Sequence, residues 1–300
     1  MKKIVACLSF LFLLSGYYAS IGMAQAPLSV FVSIPPQKQF VQLIGKDLVN
    51  VQVMVEPGAD PHTYEPKPRQ MVAISKADLY FAVGVEFEHA KLQKIVSTNP
   101  NLTVVHTDSG IKKRPLVSAH HHAHEADDHE EGHHHHQGLA DPHIWLSPSL
   151  VMAQAKTMAD ALKKADPAHR AVYEENCRAF LARVVQLDTE LRQLFSDKQG
   201  LRFMVFHPSW GYFAQDYGLV QIPVELEGKS PKPSQLQALI KEAKEDQVRV
   251  IFAQPQISRK SAELIAREIN GEVILIDPLA ENWFENMRLV ANRFQAALRP

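Results

Sequence analysis

The sequence predicts an α/β protein of two lobes, each a mostly parallel sheet flanked by helices, joined by one long rigid helix. Three observations carry this prediction. Short apolar, β-rich runs alternate with helical patterns in both halves of the 300-residue chain, which is typical of parallel sheets covered by helices on both faces. A segment without Gly or Pro, residues 168–198, separates the halves. The composition, 46% hydrophobic and 22% charged, provides enough apolar material for a sizeable core.

Residues 1–26 have the pattern of a secretory signal peptide. A short basic start precedes the apolar run IVACLSFLFLL, which is too short to cross a bilayer as a helix. The small residues of GMAQA predict cleavage after Ala24 or Ala26. We therefore expect an exported periplasmic protein, and a mature chain whose single cysteine, Cys177, forms no internal disulfide.

The N-terminal lobe is predicted to cover residues 27–165. Helical patterns follow Pro36, extend over 68–77 and about 86–97, and end the lobe at 148–165. Apolar runs predict its strands at 28–33, 49–55, 78–84 and 102–107. This alternation predicts the first parallel sheet.

A helix over residues 166–198 is predicted to connect the lobes. Asp166 and Pro167 supply an N-cap and a proline at the first helical position, and apolar residues recur at helical spacing beyond them. About thirty residues at 1.5 Å each give a rod near 45 Å long, which is not a flexible hinge. The C-terminal lobe, 199–300, repeats the alternation. Its predicted strands are 202–207, 219–225, 248–254 and 272–277.

Residues 110–139 interrupt the first lobe with a low-complexity segment, AHHHAHEADDHEEGHHHHQG at its centre. It is poor in large apolar residues, so we expect a mobile surface loop. Imidazoles and carboxylates in such a loop can hold metal weakly, but ordering the loop opposes tight binding. The predicted accessory metal-binding residues are His120, His121, His122, His124, His129, His133, His134, His135 and His136.

Four polar residues outside this loop stand next to prolines in distinctive phrases. ADPH occurs twice, around His62 and His143, while VFHPSW contains His207 and LIDPLAENW contains Asp277. His62 follows a predicted strand, and His207 and Asp277 end two others. Ligands of open parallel sheets bind beyond the carboxyl ends of the strands. Three imidazoles and one carboxylate suit tetrahedral Zn²⁺, whereas Mn²⁺ favours more oxygen ligands.

Other interpretations of the aspartates stay open at this point. Asp277 precedes a proline, as an aspartate in a turn or at a helix N-cap does. Asp60 and Asp141 could support the neighbouring histidines by hydrogen bonding, and turn formation explains them nearly as well.

Together, GADPHTYEPKP, the His-rich loop, DPHIWLSP, FHPSWGYFAQDYGL and DPLAENW resemble the ZnuA-type periplasmic zinc-binding proteins, which are metal-specific solute receptors of ABC transporters. The resemblance covers essentially the whole mature chain. It implies two lobes with a metal between them, on histidines matching His62, His143 and His207; the position of Asp277 is a ligand in many members. It also implies a membrane permease with a cytoplasmic ATPase as partner, and a monomer. Manganese-type relatives usually carry Glu at the position of His207, so this residue and the His-rich loop favour zinc.

The leading hypothesis is therefore a high-affinity Zn²⁺ receptor that is not an enzyme. A manganese or broad divalent-metal receptor is the alternative within the family. A zinc-dependent hydrolase is the alternative from another class, because three ligands and one open position also describe catalytic zinc. The sequence matches HExxH only at residues 129–133, inside the low-complexity segment rather than on a predicted helix. The formal net charge of −1 gives no reason to expect nucleic acid as a partner.

Overall fold

The structure is a computed structural model that describes residues 26–116, 140–225, 231–257 and 259–298. The predicted signal peptide, apart from Ala26, lies outside the described residues. So do the nine histidines of the predicted loop, since residues 117–139 are not described. None of the helices in the described part of the chain combines the length and the hydropathy of a membrane span.

Two four-stranded parallel sheets form the framework. The first contains β1 (Leu28–Val32), β2 (Val49–Val53), β3 (Leu79–Ala82) and β4 (Thr103–His106), in the order β2-β1-β3-β4. The second contains β5 (Arg202–Val205), β6 (Val220–Pro223), β7 (Val250–Ala253) and β8 (Glu272–Leu275), in the order β6-β5-β7-β8. The predicted fold class is confirmed, and the two sheets share one topology.

Helices cover these sheets, and several begin at a proline. Pro35, Pro68, Pro148 and Pro233 stand at the first position of their helices, where the missing N–H leaves no hydrogen bond unmade. The α-helices of the described residues are α1 (Pro35–Gly45), α2 (Pro68–Ile74), α3 (Glu86–Ser97), α4 (Pro148–Ala165), α5 (Arg170–Leu194), α6 (Gly211–Asp216), α7 (Pro233–Glu245), α8 (Lys260–Glu268) and α9 (Trp283–Ala297).

The long helix is shorter than the sequence predicts. The pattern predicts a helix over 166–198, but α5 has 25 residues and is about 37 Å long. A separate 3-10 turn, Pro167–His169, precedes it. The reason is the Asp166 carboxylate, whose Oδ2 accepts hydrogen bonds from His169 Nδ1 at 2.6 Å and from the Tyr173 hydroxyl at 2.8 Å. These bonds hold the tighter first turn. The predicted lobe boundaries, 27–165 and 199–300, remain a prediction.

Helix α5 packs into the protein along one face. Its buried residues recur every three or four positions, as expected for a helix with one apolar stripe. They are Tyr173, Asn176, Cys177, Phe180, Val184, Leu187 and Leu191. The opposite face, which includes Val185, is exposed. The connecting helix is therefore part of the core rather than a free rod.

One continuous apolar core joins the two halves of the molecule. Phe180 of α5 lies between Phe40 of α1 and Phe284 of α9, with ring centroids 5.6 Å and 5.8 Å away. Two indole hydrogen bonds add to this contact. Trp145 Nε1 donates to the carbonyl of Pro278, and Trp283 Nε1 donates to the carbonyl of Trp145, both at 2.7 Å. Such packing fixes one sheet relative to the other.

A substitution in this shared core tests its contribution. Phe180→Ala removes a fully buried ring that contacts both halves, and we expect the free energy of unfolding to fall by about 3–5 kcal/mol. The matched control is Val185→Ala on the same helix, where the side chain is 51% exposed; a change within about 0.5 kcal/mol is expected there. Urea unfolding followed by circular dichroism measures both. Equal losses in the two variants would contradict a core role for Phe180.

Candidate metal centre

The repeated ADPH phrase folds twice into the same turn. Asp60 Oδ1 accepts the backbone N–H of His62 at 2.9 Å, and Asp141 Oδ1 accepts the backbone N–H of His143 at 3.0 Å. An aspartate that bonds the backbone two residues ahead forms an Asx turn, and the intervening proline fixes φ. Each turn presents its histidine in a defined direction.

Three histidines from different parts of the chain meet at one point. His62 comes from the loop between β2 and α2, His143 from the residue before the 3-10 turn Ile144–Leu146, and His207 from the end of β5. His207 Nε2 lies 3.1 Å from His62 Nε2 and 3.4 Å from His143 Nε2. All three potential ligand atoms lie within 4.8 Å of one another.

Each imidazole has its own carboxylate on the opposite side of the ring. The Nδ1 atoms of His62, His143 and His207 lie 2.7 Å from carboxylate oxygens. The three carboxylates belong to Glu86, Asp141 and Glu225, in that order. A carboxylate acceptor fixes the proton on Nδ1 and leaves the Nε2 lone pair for a metal. All three lone pairs therefore point at the shared space.

Two of these carboxylates were not identified from the sequence. Glu86 begins α3 four residues after β3, and Glu225 follows β6 by two residues. Both stand beyond the carboxyl ends of strands, the same signal that selects His207. Glu225 also ends the run LVQIPVE as its only charged residue. Asp141 forms its turn and also accepts the hydrogen bond from the ring of His143. Asp60 forms only its turn, and the ring of His62 contacts Glu86 instead.

Burial makes the charges at this centre consequential. His143, His207, Asp141 and Glu225 are buried, while His62 and Glu86 are partly exposed. With neutral imidazoles the three carboxylates carry a formal charge of −3, and Arg114, whose Nε lies 3.8 Å from Asp141 Oδ2, offsets one of these charges. A divalent cation would offset the other two. Buried charge is unfavourable unless it is paired, so the centre is suited to a cation.

The pKa values of His62 and His143 are shifted in opposite directions from the ordinary value of histidine. Burial alone would lower the pKa of His62, but the hydrogen bond and negative charge of Glu86 outweigh it, and the pKa of His62 is raised. For His143, burial dominates over Asp141 and lowers its pKa. Burial would raise the pKa of Glu86, yet the bond to His62 holds it at about 2. Glu86 is therefore ionised at neutral pH.

Asp277 lies outside the cluster formed by the three histidines. Its Oδ1 accepts hydrogen bonds from Gln256 Nε2 at 2.7 Å and from the backbone N–H of Leu279 at 2.9 Å. The second bond makes Asp277-Pro278-Leu279 a third copy of the Asp-Pro-x turn, with leucine where the other two carry histidine. The turn interpretation accounts for this geometry, and ligation by Asp277 stays a prediction.

The space between the histidines is small. A cavity of about 10 Å³ is lined by His62, His143, His207, Trp145, Gln256 and Leu279, among others. This is about the volume that one water molecule needs. Nitrogen ligands placed about 2.0–2.1 Å from a tetrahedral zinc ion lie roughly 3.3 Å apart, close to the 3.1 Å and 3.4 Å seen between the Nε2 atoms. The centre can hold a small cation but not an organic substrate.

The ends of the undescribed segment 117–139 are fixed beside this centre. Pro115 and Ala140 form an isolated antiparallel bridge, and the backbone N–H of Asp141 donates to the carbonyl of Arg114 at 2.9 Å. The Tyr212 hydroxyl accepts from the Arg114 N–H at 3.0 Å and donates to the Asp141 carbonyl at 2.9 Å. The chain on either side of the undescribed segment is therefore held beside Asp141, the residue that orients His143.

The chain is similar to known metal-binding proteins over most of its length. The family model described as ZnuA, zinc-uptake complex component A, periplasmic, matches residues 30–297. The high-affinity zinc uptake system protein ZnuA of Bacillus subtilis (strain 168) is 30% identical over 256 residues, which cover 84% of this chain and 78% of the relative. The iron-binding protein YfeA of Yersinia pestis is 28% identical over 253 residues, covering 81% and 75%. A crystal structure of ZnuA matches with a TM-score of 0.83 at 42% identity, covering 91% of this chain and 100% of that one.

The carboxylate behind His207 can be tested by an isosteric change. Glu225→Gln keeps a hydrogen-bond acceptor but removes the negative charge behind the ring of His207, so we expect Zn²⁺ affinity to fall about 10-fold or more. Glu245→Gln is the control, because Glu245 is an exposed residue of α7. Titration against a competing chelator gives both dissociation constants. If Glu225→Gln binds as tightly as the control, the carboxylate does not tune the imidazole.

Proposed function

The chain belongs to the ZnuA family of periplasmic zinc-uptake complex components, and we propose that it is the receptor that binds Zn²⁺ with high affinity and delivers it to an ABC permease. The observation that carries this proposal is the convergence of three Nε2 atoms, each on a ring whose Nδ1 contacts a carboxylate. We propose His62, His143 and His207 as ligands. The fourth position belongs to Asp277, as the sequence predicts, or to a water molecule.

The donor set supports zinc over manganese. Three imidazole nitrogens suit Zn²⁺, whereas Mn²⁺ favours carboxylate and carbonyl oxygen. Glu86, Asp141 and Glu225 already contact the Nδ1 atoms and so lie behind the rings rather than between them. A receptor for manganese or several divalent metals remains the alternative within the family, whose relatives include a protein named for iron binding.

The partners and location of the proposed receptor follow from its family. It acts in the periplasm after removal of the signal peptide 1–26, as a monomer, beside a membrane permease with a cytoplasmic ATPase. The continuous core between the halves supports delivery by small adjustments of the site rather than by wide opening of a cleft. The His-rich loop contributes weak accessory binding.

The hydrolase alternative has less support. Catalytic zinc needs space for a substrate beside the metal and a group that moves protons. The cavity of about 10 Å³ has no room for an ester or a phosphate ester. The three carboxylates nearest the histidines are hydrogen-bonded to the rings. We therefore propose binding without catalysis.

A competitive Zn²⁺ titration distinguishes binding at the three histidines from binding in the His-rich loop. Metal-free mature protein is expected to bind one Zn²⁺ tightly at the three histidines and further equivalents weakly in the loop. The reason is that three nitrogens already held in place lose less conformational entropy on binding metal than a loop does. A variant lacking residues 118–138 should keep the tight equivalent and lose the weak ones. His207→Ala should lose the tight equivalent and keep the weak ones. Loss of tight binding on deletion of the loop would identify the loop as the principal site.

Acidification should weaken binding in a way that the pKa values specify. Metal requires neutral imidazole, so protons compete for the same nitrogens. Because the pKa of His62 is raised, its proton competes first as the pH falls, and affinity drops about tenfold per pH unit below that pKa. His143, whose pKa is lowered, adds competition only at lower pH.

Dissociation constants measured between about pH 7.5 and about pH 5 test this order of protonation. Glu86→Gln removes the charge that raises the pKa of His62, so the decline in affinity should begin at lower pH than in the parent protein. Equal affinities across the range would contradict ligation by histidine.

A further inference from the structure

The cavity of the metal centre has a wall that contains no histidine. Besides the three histidines, the cavity is lined by Asp60, Pro61, Trp145, Gln254, Gln256, Pro278 and Leu279. Asp60 is the carboxylate among them, and its two oxygens accept hydrogen bonds from the backbone N–H of His62 and the hydroxyl of Thr63. With Asp60 engaged in its own turn, the group that completes a tetrahedral site comes from an amide of this wall, from Asp277 or from solvent.

The third Asp-Pro-x turn explains why this wall lacks a histidine. Asp277 Oδ1 accepts the backbone N–H of Leu279 at 2.9 Å, just as Asp60 and Asp141 accept from the histidines two residues ahead. The turn is the same, but its third residue is leucine. Leu279 brings an apolar side chain to the cavity and can supply no ligand atom.

The orientation of the Gln256 amide is fixed by Asp277. Asp277 Oδ1 already accepts a backbone N–H, so it is an acceptor, and the group that faces it at 2.7 Å must be the amide nitrogen Nε2 of Gln256. The carbonyl oxygen Oε1 of Gln256 then points away from the carboxylate. This oxygen is buried, and no group of the described residues donates a hydrogen bond to it.

A buried carbonyl oxygen without a donor has lost its hydrogen bonds to water and has no hydrogen bond within the protein to replace them, which is unfavourable. Gln256 lines the cavity in which the three Nε2 lone pairs meet, so the missing donor belongs to the molecule that this cavity binds. A bare cation donates no hydrogen bond, and an amide oxygen is not among the usual ligands of zinc. A water molecule on that cation does, and metal coordination makes it a stronger donor than bulk water.

We propose that Gln256 is a positioning residue for the fourth ligand: its Oε1 accepts a hydrogen bond from a metal-bound water molecule, and Asp277 acts by orienting Gln256 rather than by binding the metal. This inference rests on the proposed function, since it assumes that His62, His143 and His207 hold the metal. It assigns the fourth position to an exchangeable ligand, which an incoming group can replace without breaking a bond to the protein.

The experiment uses the metal-free mature protein with Zn²⁺ for affinity and Co²⁺ for absorption spectra, which report the number and type of ligands. Gln256→Met removes the acceptor at nearly constant length. We expect the dissociation constant for Zn²⁺ to rise about 10-fold or more, with a changed Co²⁺ spectrum. Gln186→Met is the control, because Gln186 is exposed on α5. Asp277→Asn keeps an acceptor for Gln256 Nε2, so affinity within about threefold of the parent and an unchanged spectrum are expected.

A second measurement guards against loss through misfolding. Metal-free Gln256→Met should keep the circular dichroism spectrum and the cooperative thermal unfolding of the metal-free parent. A loss of Zn²⁺ affinity in a variant that meets this condition reports on the site rather than on the fold.

Two outcomes overturn the proposal. If Gln256→Met binds like the Gln186→Met control, Gln256 does not position a ligand. If Asp277→Asn loses more affinity than Gln256→Met and its Co²⁺ spectrum shows a lost ligand, Asp277 itself binds the metal. Either result leaves the proposed function intact, provided that the parent still binds one Zn²⁺ that His207→Ala abolishes. Failure of the parent to bind defeats the proposed function instead.

Discussion

The hydrogen bond between imidazole Nδ1 and a carboxylate, made three times, is the interaction on which this molecule depends. Each bond, at 2.7 Å, decides which ring nitrogen carries the proton and which presents a lone pair. Without these bonds, three imidazoles in one small space could turn or donate to one another. With them, three lone pairs point inward and three negative charges lie behind the rings. Arg114 offsets one of these charges, and a cation between the rings would stabilise the arrangement further, because buried charge is unfavourable unless it is paired.

This geometry can bind a metal only if the two halves of the protein keep a fixed position relative to each other. His62 and His143 belong to the part of the chain that carries the first sheet, and His207 follows a strand of the second sheet. Their Nε2 atoms nevertheless lie 3.1 Å and 3.4 Å apart. The shared core around Phe180 and the hydrogen bonds of Trp145 and Trp283 supply the necessary rigidity. A flexible hinge would spread these distances and weaken the site.

The framework could be predicted from the sequence because its signals are local. Runs such as LSVFVS and VRVIFAQ form strands where they are predicted, since a buried parallel strand needs a short, continuous apolar run. The position at which the long helix begins is harder to predict. Residues 166–169 contain no helix breaker beyond Pro167, and the tight turn there depends on the Asp166 contact with Tyr173. That contact exists only once the first turn of α5 has formed.

The three Asp-Pro-x turns mark the limit of what sequence can specify about the site. Repetition of the phrase predicts a repeated local structure, and all three copies form the same turn. What each turn contributes depends on packing between distant segments. The ring of His62 is hydrogen-bonded to Glu86, 24 residues away, while the ring of His143 is hydrogen-bonded to the aspartate of its own turn. Asp277 makes the same turn with a leucine as its third residue, and its carboxylate meets Gln256 from a different strand end. An aspartate beside a proline therefore identifies where a turn lies. Whether it binds metal, orients a ligand or only shapes the chain is decided by the partner that the fold brings to it.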